Sequence, residues 1–229
     1  MSRDRVFLHK TRPAAITEFR KMMPCAALVH ETMGRKGNMN RLIKPIAQGM
    51  MIAGVAKTVV SAPGDNLMLH RALLTGKAGD VIVADCQGHY EYGYWGEFMT
   101  SVALAKGIEG LVIDGGVRDS SAIRSLGFGV FAGGIAMAGT SKNVARTMDE
   151  PITCGGVEVS PGDLVLGDDD GVVVVPSAKA TEVLAIAKDK ARKERADLRS
   201  IVEGRTSYWE FLRGKGWLAN DSATEEQRK

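Results

Sequence analysis

The chain has 229 residues, 45% of them hydrophobic and 25% charged, enough apolar material for one mid-sized globular core and too much for a disordered chain. Thirty basic against 27 acidic residues leave a net charge of +3, which excludes the concentrated basic surplus of a protein that works by neutralising nucleic-acid phosphates. Cys25, Cys86 and Cys154 are odd in number and widely spaced, so they fit neither a disulfide framework nor a CxxC metal site and point to a reducing, cytoplasmic setting.

Met1 to Val6 carry no apolar signal core, and the most apolar window, Met50 to Ala56, is stopped by Lys57 well short of a membrane span. Neither a targeting segment nor a membrane partner is expected. Residues 1–40 are expected to form a helical N-terminal cap, with one short helix opened by Pro13 and a second running from Cys25 to Gly34, whose glycine suits a helix end. Residues 41–177 read as an α/β core. Short β-branched runs between glycines predict strands at 54–60, 80–85, 111–114, 129–131, 157–159, 164–166 and 172–175. Helical patterns at 66–75, 97–106 and 120–126 are long enough to return the chain between neighbouring strands. Asp168-Asp169-Asp170-Gly171 lies between two strands and lacks the later glutamate of a calcium loop, so it reads as an acidic hairpin turn. Residues 178–229 supply a long amphipathic helix, Ala178 to Val202, and beyond Gly204 a polar, aromatic-dotted tail expected to fray or to pack on a neighbouring subunit. The 27 glycines are the unusual feature; pairs such as Gly115-Gly116 and Gly133-Gly134 suggest turns, or places where a ligand approaches the backbone closely.

Three places carry possible chemistry. The predicted strand 80–85 passes through a loop, 86–96, into a helix starting at Gly96-Glu97, and ligands of α/β sheets bind at the carboxyl ends of strands. The unpaired amides of Phe98 and Met99 there suit a small carboxylate, although Glu97 could simply complement the dipole of its own helix. The strand 111–114 leads into Gly115-Gly116-Val117-Arg118-Asp119. Arg118 can grip a carboxylate with two nitrogens, and Asp119 can offer a hard oxygen to a divalent cation or cap the next helix. In the C-terminal helix, Leu184, Ala187, Ala191, Glu194, Leu198 and Ile201 form one stripe at spacings of three and four, which Glu194 interrupts. A carboxylate buried there needs a cationic partner, whereas on a solvated helix end it would pair with Lys190 or Arg195. His9, His30, His70 and His89 fall in no zinc-like spacing, and no glycine-rich segment matches a nucleotide-binding loop. Tyr90, Tyr92, Tyr94 and Trp95 could line a pocket or pack their loop on a neighbour.

Gly96-Glu97, followed after twenty residues by Arg118-Asp119, with Gly79-Asp80-Val81 before and Pro161 to Val165 and Asp170 to Pro176 after, resembles the 4-hydroxy-4-methyl-2-oxoglutarate aldolases and the related RraA proteins, regulators of ribonuclease activity. The resemblance spans residues 25–205. It implies a layered β/β/α sandwich of RraA-like, swivelling-domain type, assembled as a homotrimer or a dimer of trimers. It also implies a divalent-metal-dependent, class II aldolase that cleaves a 4-hydroxy-2-oxo acid such as 4-hydroxy-4-methyl-2-oxoglutarate to pyruvate and decarboxylates oxaloacetate. The alternative within the same resemblance is a non-catalytic regulator that binds ribonuclease E. By the resemblance, Asp119 is the direct protein ligand of Mg2+ or Mn2+ and Glu97 holds metal-bound water. The backbone of Gly96, Glu97, Phe98 and Met99 and the side chain of Arg118 bind the pyruvate part. Glu194 from a neighbouring subunit completes the site, so Arg118, Glu97 and Glu194 are the catalytic candidates. Many members carry Asp where this chain has Glu97.

Overall fold

The computed structural model describes residues 25–218; the predicted helix at Pro13 lies outside them. Nine strands are described: β1 (Lys44–Pro45), β2 (Ile52–Val60), β3 (Asp80–Trp95), β4 (Gly110–Val117), β5 (Gly129–Ile135), β6 (Ile152–Cys154), β7 (Val157–Val159), β8 (Leu164–Asp168) and β9 (Gly171–Val175). The helices among the described residues are α1 (Ala26–Thr32), α2 (Leu67–Thr75), α3 (Glu97–Ala105), α4 (Ser120–Leu126), α5 (Ala180–Val202) and α6 (Tyr208–Gly214). None is long and apolar enough to cross a membrane.

Seven strands form one sheet in the order β1-β5-β4-β3-β2-β8-β9. The inner four, β2 to β5, run parallel because α2, α3 and α4 each carry the chain back between them, and the outer strands are antiparallel. A strand covered on both faces must be apolar throughout: Val81, Ile82, Val83 and Ala84 are all buried, as are Leu111, Val112 and Ile113. The sheet curls until its edges meet, and Lys44 of β1 donates from its ammonium to the Asp170 carbonyl beside β9. Ile52 fills the narrow interior; a Cβ on Gly110 or Gly129 would lie 2.3 or 2.4 Å from its Cγ2. The β6–β7 ribbon packs on β2 and β3, giving the expected β/β/α layering with the helices. Met68, Leu69, Ala72 and Leu73 of α2, Met99 and Ala103 of α3, and Ile123 of α4 join the main core. A smaller cluster joins Ala26 and Val29 of α1 to Val183 and Ala187 of α5 over Leu166, Val173 and Val175.

Three expectations need correction. Residues 86–95 are not a loop: β3 continues to Trp95, pairing with β4 through register shifts at His89, Gly93 and Trp95. Gly115 and Gly116 make this possible, since a Cβ on Gly116 would sit 2.5 Å from the Tyr90 carbonyl oxygen and one on Gly115 2.9 Å from Cys86 Cβ. That pair clears space for a strand, not for a ligand. Gly133-Gly134 likewise is no turn but part of β5; a Cβ on Gly133 would lie 2.1 Å from the Tyr90 ring, whose hydroxyl donates to Asp114 Oδ1 at 2.6 Å. Beyond Gly204 the described residues form α6, which is capped by Ser207: its hydroxyl accepts from the Glu210 amide while Glu210 accepts from the Ser207 amide.

Candidate active site

The carboxyl ends of β2 to β5 open into a cleft of about 340 Å³. Gly96, Phe98 and Met99 enter it from the head of α3, and Arg118 and Asp119 from the end of β4. Asn66 and His70 come from α2 and its start, and Thr140 and Lys142 from the segment after β5. The floor is stiff: the Arg118 amide donates to the Trp95 carbonyl at 2.8 Å, and Trp95 Nε1 donates to Thr100 Oγ1 at 2.8 Å. Trp95 also stacks on Phe128, ring centroids 6.1 Å apart.

Asp119 stands at the head of α4 with φ 55 and ψ 33, the left-handed conformation that a non-glycine residue adopts at a cost. Its carboxylate makes no capping bond to its own helix. It turns to the head of α3, where Oδ2 accepts the Glu97 amide at 3.1 Å and lies 3.7 Å from Arg118 Nε. A Cβ on Gly96 would stand 2.4 Å from that Oδ2, so the glycine makes room for the carboxylate. The amides of Phe98 and Met99 have no intrahelical partner and remain available to an anion. Glu97 enters through its amide while its side chain is exposed, and Phe98 is 74% exposed at the rim.

Glu194 is elsewhere. It lies beside Cys25, Asp168 and Arg195 in a separate cavity between α1 and α5. It is exposed and makes no ion pair among the described residues, and Lys190 pairs instead with Glu31. Leu198 in the same stripe is 62% exposed, so within one chain the seam is buried only as far as Ala187 and half-covered at Ala191.

The opposite wall was not legible in the sequence. Asp65, 1% exposed, accepts from Ser141 Oγ and the Asn143 amide, both at 2.6 Å, from the Val144 amide at 3.2 Å and from the Leu67 amide at 2.9 Å. One carboxylate thus ties the segment carrying Lys142 to the head of α2. Burial alone would raise its pKa; the bonds from Asn143, Ser141, Leu67 and Val144 outweigh that and hold it at about 2. Burial, helped by the nearby Lys142 ammonium, holds His70 below the ordinary imidazole value.

Among the described residues no three His, Cys, Asp or Glu side chains converge as a metal-ligand group. Among the described residues that line the cleft, Asp119 alone offers it a charged oxygen, 44% exposed. That donor set does not suit zinc, but it fits Mg2+ or Mn2+, which are held by one or two carboxylates with water and substrate oxygens.

A family model described as RraA-like, Aldolase/RraA, matches residues 25–174. A Halalkalibacterium halodurans protein named "Putative 4-hydroxy-4-methyl-2-oxoglutarate aldolase" is 37% identical over 188 residues, 82% of this chain and 89% of that protein. The crystal structure of an uncharacterized protein from Pseudomonas syringae pv. tomato is similar with a TM-score of 0.77 at 27% identity, over 93% of this chain and 100% of the other. The RNA-processing inhibitor RraA from Thermus thermophilis is similar with a TM-score of 0.61 at 26% identity, over 66% and 92%. With the family model and the 37% identical relative each covering most of its length, this chain belongs to the Aldolase/RraA family.

Proposed function

We propose that the protein is a divalent-metal-dependent carbon–carbon lyase that cleaves a 4-hydroxy-2-oxo acid such as 4-hydroxy-4-methyl-2-oxoglutarate to pyruvate, and that it decarboxylates oxaloacetate through the same enolate. The observation that carries this reading is the meeting, in one cleft, of the Arg118 guanidinium, the Asp119 carboxylate and the free amides at the head of α3. The relative named for this aldolase activity supports it.

In this reading the amides of Phe98 and Met99 receive the substrate carboxylate, and Arg118 adds positive charge beside the 2-oxo oxygen, where negative charge grows as the C3–C4 bond breaks. Asp119 holds the cation, and Mg2+ or Mn2+ bound there supplies Lewis-acid stabilisation of the pyruvate enolate. A water positioned by Glu97 and Arg118 takes the C4 hydroxyl proton; C4 becomes the carbonyl of the released oxo acid, the C3–C4 electrons pass into the enolate, and C3 takes a proton back from that water to give pyruvate. Decarboxylation of oxaloacetate needs no such base, only the same stabilised enolate. Glu194 of a second copy completes the site, so the enzyme works as an oligomer, a homotrimer or a dimer of trimers in this reading.

The test is pyruvate release from both substrates with Mg2+ and after EDTA, in wild type, Arg118→Ala and Asp119→Ala. The expected result is activity lost to chelation and lowered about a hundredfold or more by either substitution. Turnover indifferent to EDTA removes the metal from the reading. The similarity to an RNA-processing inhibitor favours a second reading, a non-catalytic regulator of ribonuclease E. Capture of ribonuclease E together with no pyruvate release selects it.

A further inference from the structure

Lys142 lines the cleft on the wall opposite Arg118 and Asp119, and the chemistry above gives it no task. It is exposed and makes no ion pair among the described residues. From Gly127 to Met148 the chain has no acidic residue that could serve it. Its backbone is nevertheless held on both sides. The Asp65 carboxylate accepts from the Ser141 hydroxyl before it and the Asn143 amide after it, both at 2.6 Å, and the Ser141 amide donates to the Gly64 carbonyl at 2.8 Å. Asp65 itself is 1% exposed and spends its charge on those bonds, so it offers no anion to the cleft. Asp119 stands beside Arg118 on the far wall. The Lys142 ammonium reaches the His70 ring, which it helps to keep neutral, so it faces the cleft over an uncharged group. Two cationic side chains, one on each wall, thus meet a single carboxylate open to the cleft. A fixed turn that presents an ammonium with no protein anion is suited to an anion brought by the ligand.

We propose that Lys142 is the specificity-determining residue for the carboxylate carried on C4 of the substrate, an inference that rests on the aldolase reading above and narrows it to substrates with two acid groups. In that reading the head of α3 and Arg118 take the C1 carboxylate and the 2-oxo oxygen, which leaves the C4 end of the molecule to the opposite wall. There 4-hydroxy-4-methyl-2-oxoglutarate carries its second carboxylate, and Lys142 is the one cationic side chain among the described residues of that wall. An oxo acid with a methyl group in that place forgoes a charge-assisted hydrogen bond. The second carboxylate bears its charge before and after the C3–C4 bond breaks. Lys142 therefore holds ground state and transition state alike, and its effect falls on KM rather than kcat.

The experiment is calorimetric titration, with Mg2+ present, of wild type, Lys142→Met and Lys142→Arg with two oxo acids of equal length. One is 2-oxoglutarate, which has the second carboxylate, and the other is 2-oxopentanoate, which has a methyl group in its place. Wild type is expected to bind 2-oxoglutarate about tenfold more tightly or better, Lys142→Met to lose that preference through 2-oxoglutarate alone, and Lys142→Arg to keep most of it. In pyruvate release from 4-hydroxy-4-methyl-2-oxoglutarate, Lys142→Met should raise KM by a similar factor with kcat little changed. Equal weakening of both oxo acids overturns the inference alone, since Lys142 would then only support the wall. Should Lys142→Met fail to fold, wild type still decides: binding 2-oxoglutarate no better than 2-oxopentanoate overturns the proposal. Wild-type protein that releases no pyruvate from 4-hydroxy-4-methyl-2-oxoglutarate overturns the aldolase reading, and this inference with it.

Discussion

The carboxylate of Asp119, held in a left-handed conformation at the head of α4, accepts the backbone amide of Glu97 at the head of α3, 3.1 Å away. Two helices that begin 23 residues apart in the chain (97 and 120) are joined by one oxygen at the point where the cleft opens. The contact exists because Gly96 presents no side chain to Asp119.

Gly96→Ala should therefore act through Asp119. The new methyl, 2.4 Å from Oδ2, must push the carboxylate away from the head of α3. An ångström-scale displacement of a catalytic group costs about a hundredfold in kcat/KM. The expected result is a loss of that order in pyruvate release with a cooperative melting transition retained. Near-wild-type turnover would show that the placement of Asp119 does not matter to the reaction.

Asp65 should be a large source of stability and of acid sensitivity. Its folded pKa of about 2 lies below the ordinary 3.8, so the stabilisation it gives is fully present above pH 4 and drains away as pH falls towards 2. Asp65→Ala leaves three amides and a hydroxyl without their acceptor and should cost roughly 2–4 kcal/mol in chemical denaturation at pH 7. The gap between variant and wild type should narrow below pH 4, and a gap constant down to pH 2 would contradict the assignment.

His70 should remain neutral at a pH where a free histidine is half charged. Burial and then Lys142 depress its pKa below 6.5, so acidification charges the unfolded chain first and takes stability away as pH drops below that value. Followed by NMR, the His70 ring should titrate below 6.5, and Lys142→Gln should move the midpoint upward by removing the smaller of the two causes. A midpoint unmoved by Lys142→Gln would mean that the ammonium does not face the ring.

Much of the core was legible along the chain. The β-branched runs at 54–60, 80–85 and 111–114 and the helical patterns between them became the parallel β2, β3 and β4 with α2 and α3. Burial on both faces writes a strand as a continuous apolar run, and that signal is local. Gly96-Glu97 and Arg118-Asp119 were each legible as possible chemistry at the carboxyl end of a strand, and the resemblance to the aldolases placed them in one site.

What the residues themselves determined, then, was the alternation of strand and helix and the chemistry at the ends of β3 and β4. Only the tertiary structure decided where that chemistry points. Asp119 reads equally well as a helix cap or as a cleft carboxylate, and the choice follows from the absent side chain of Gly96, far along the chain. The passage of β3 through 86–95 depends on Gly115 and Gly116 of another strand, and the wall of Asn66, His70 and Lys142 depends on Asp65 bonding across more than 70 residues. Glu194 reads equally as a buried carboxylate that needs a cation or as a residue on a solvated helix end, and within one chain it is exposed, beyond the part of α5 that packs over the sheet. Periodicity reports which face of an element is covered, but a site is built from contacts between elements, and those are set by packing.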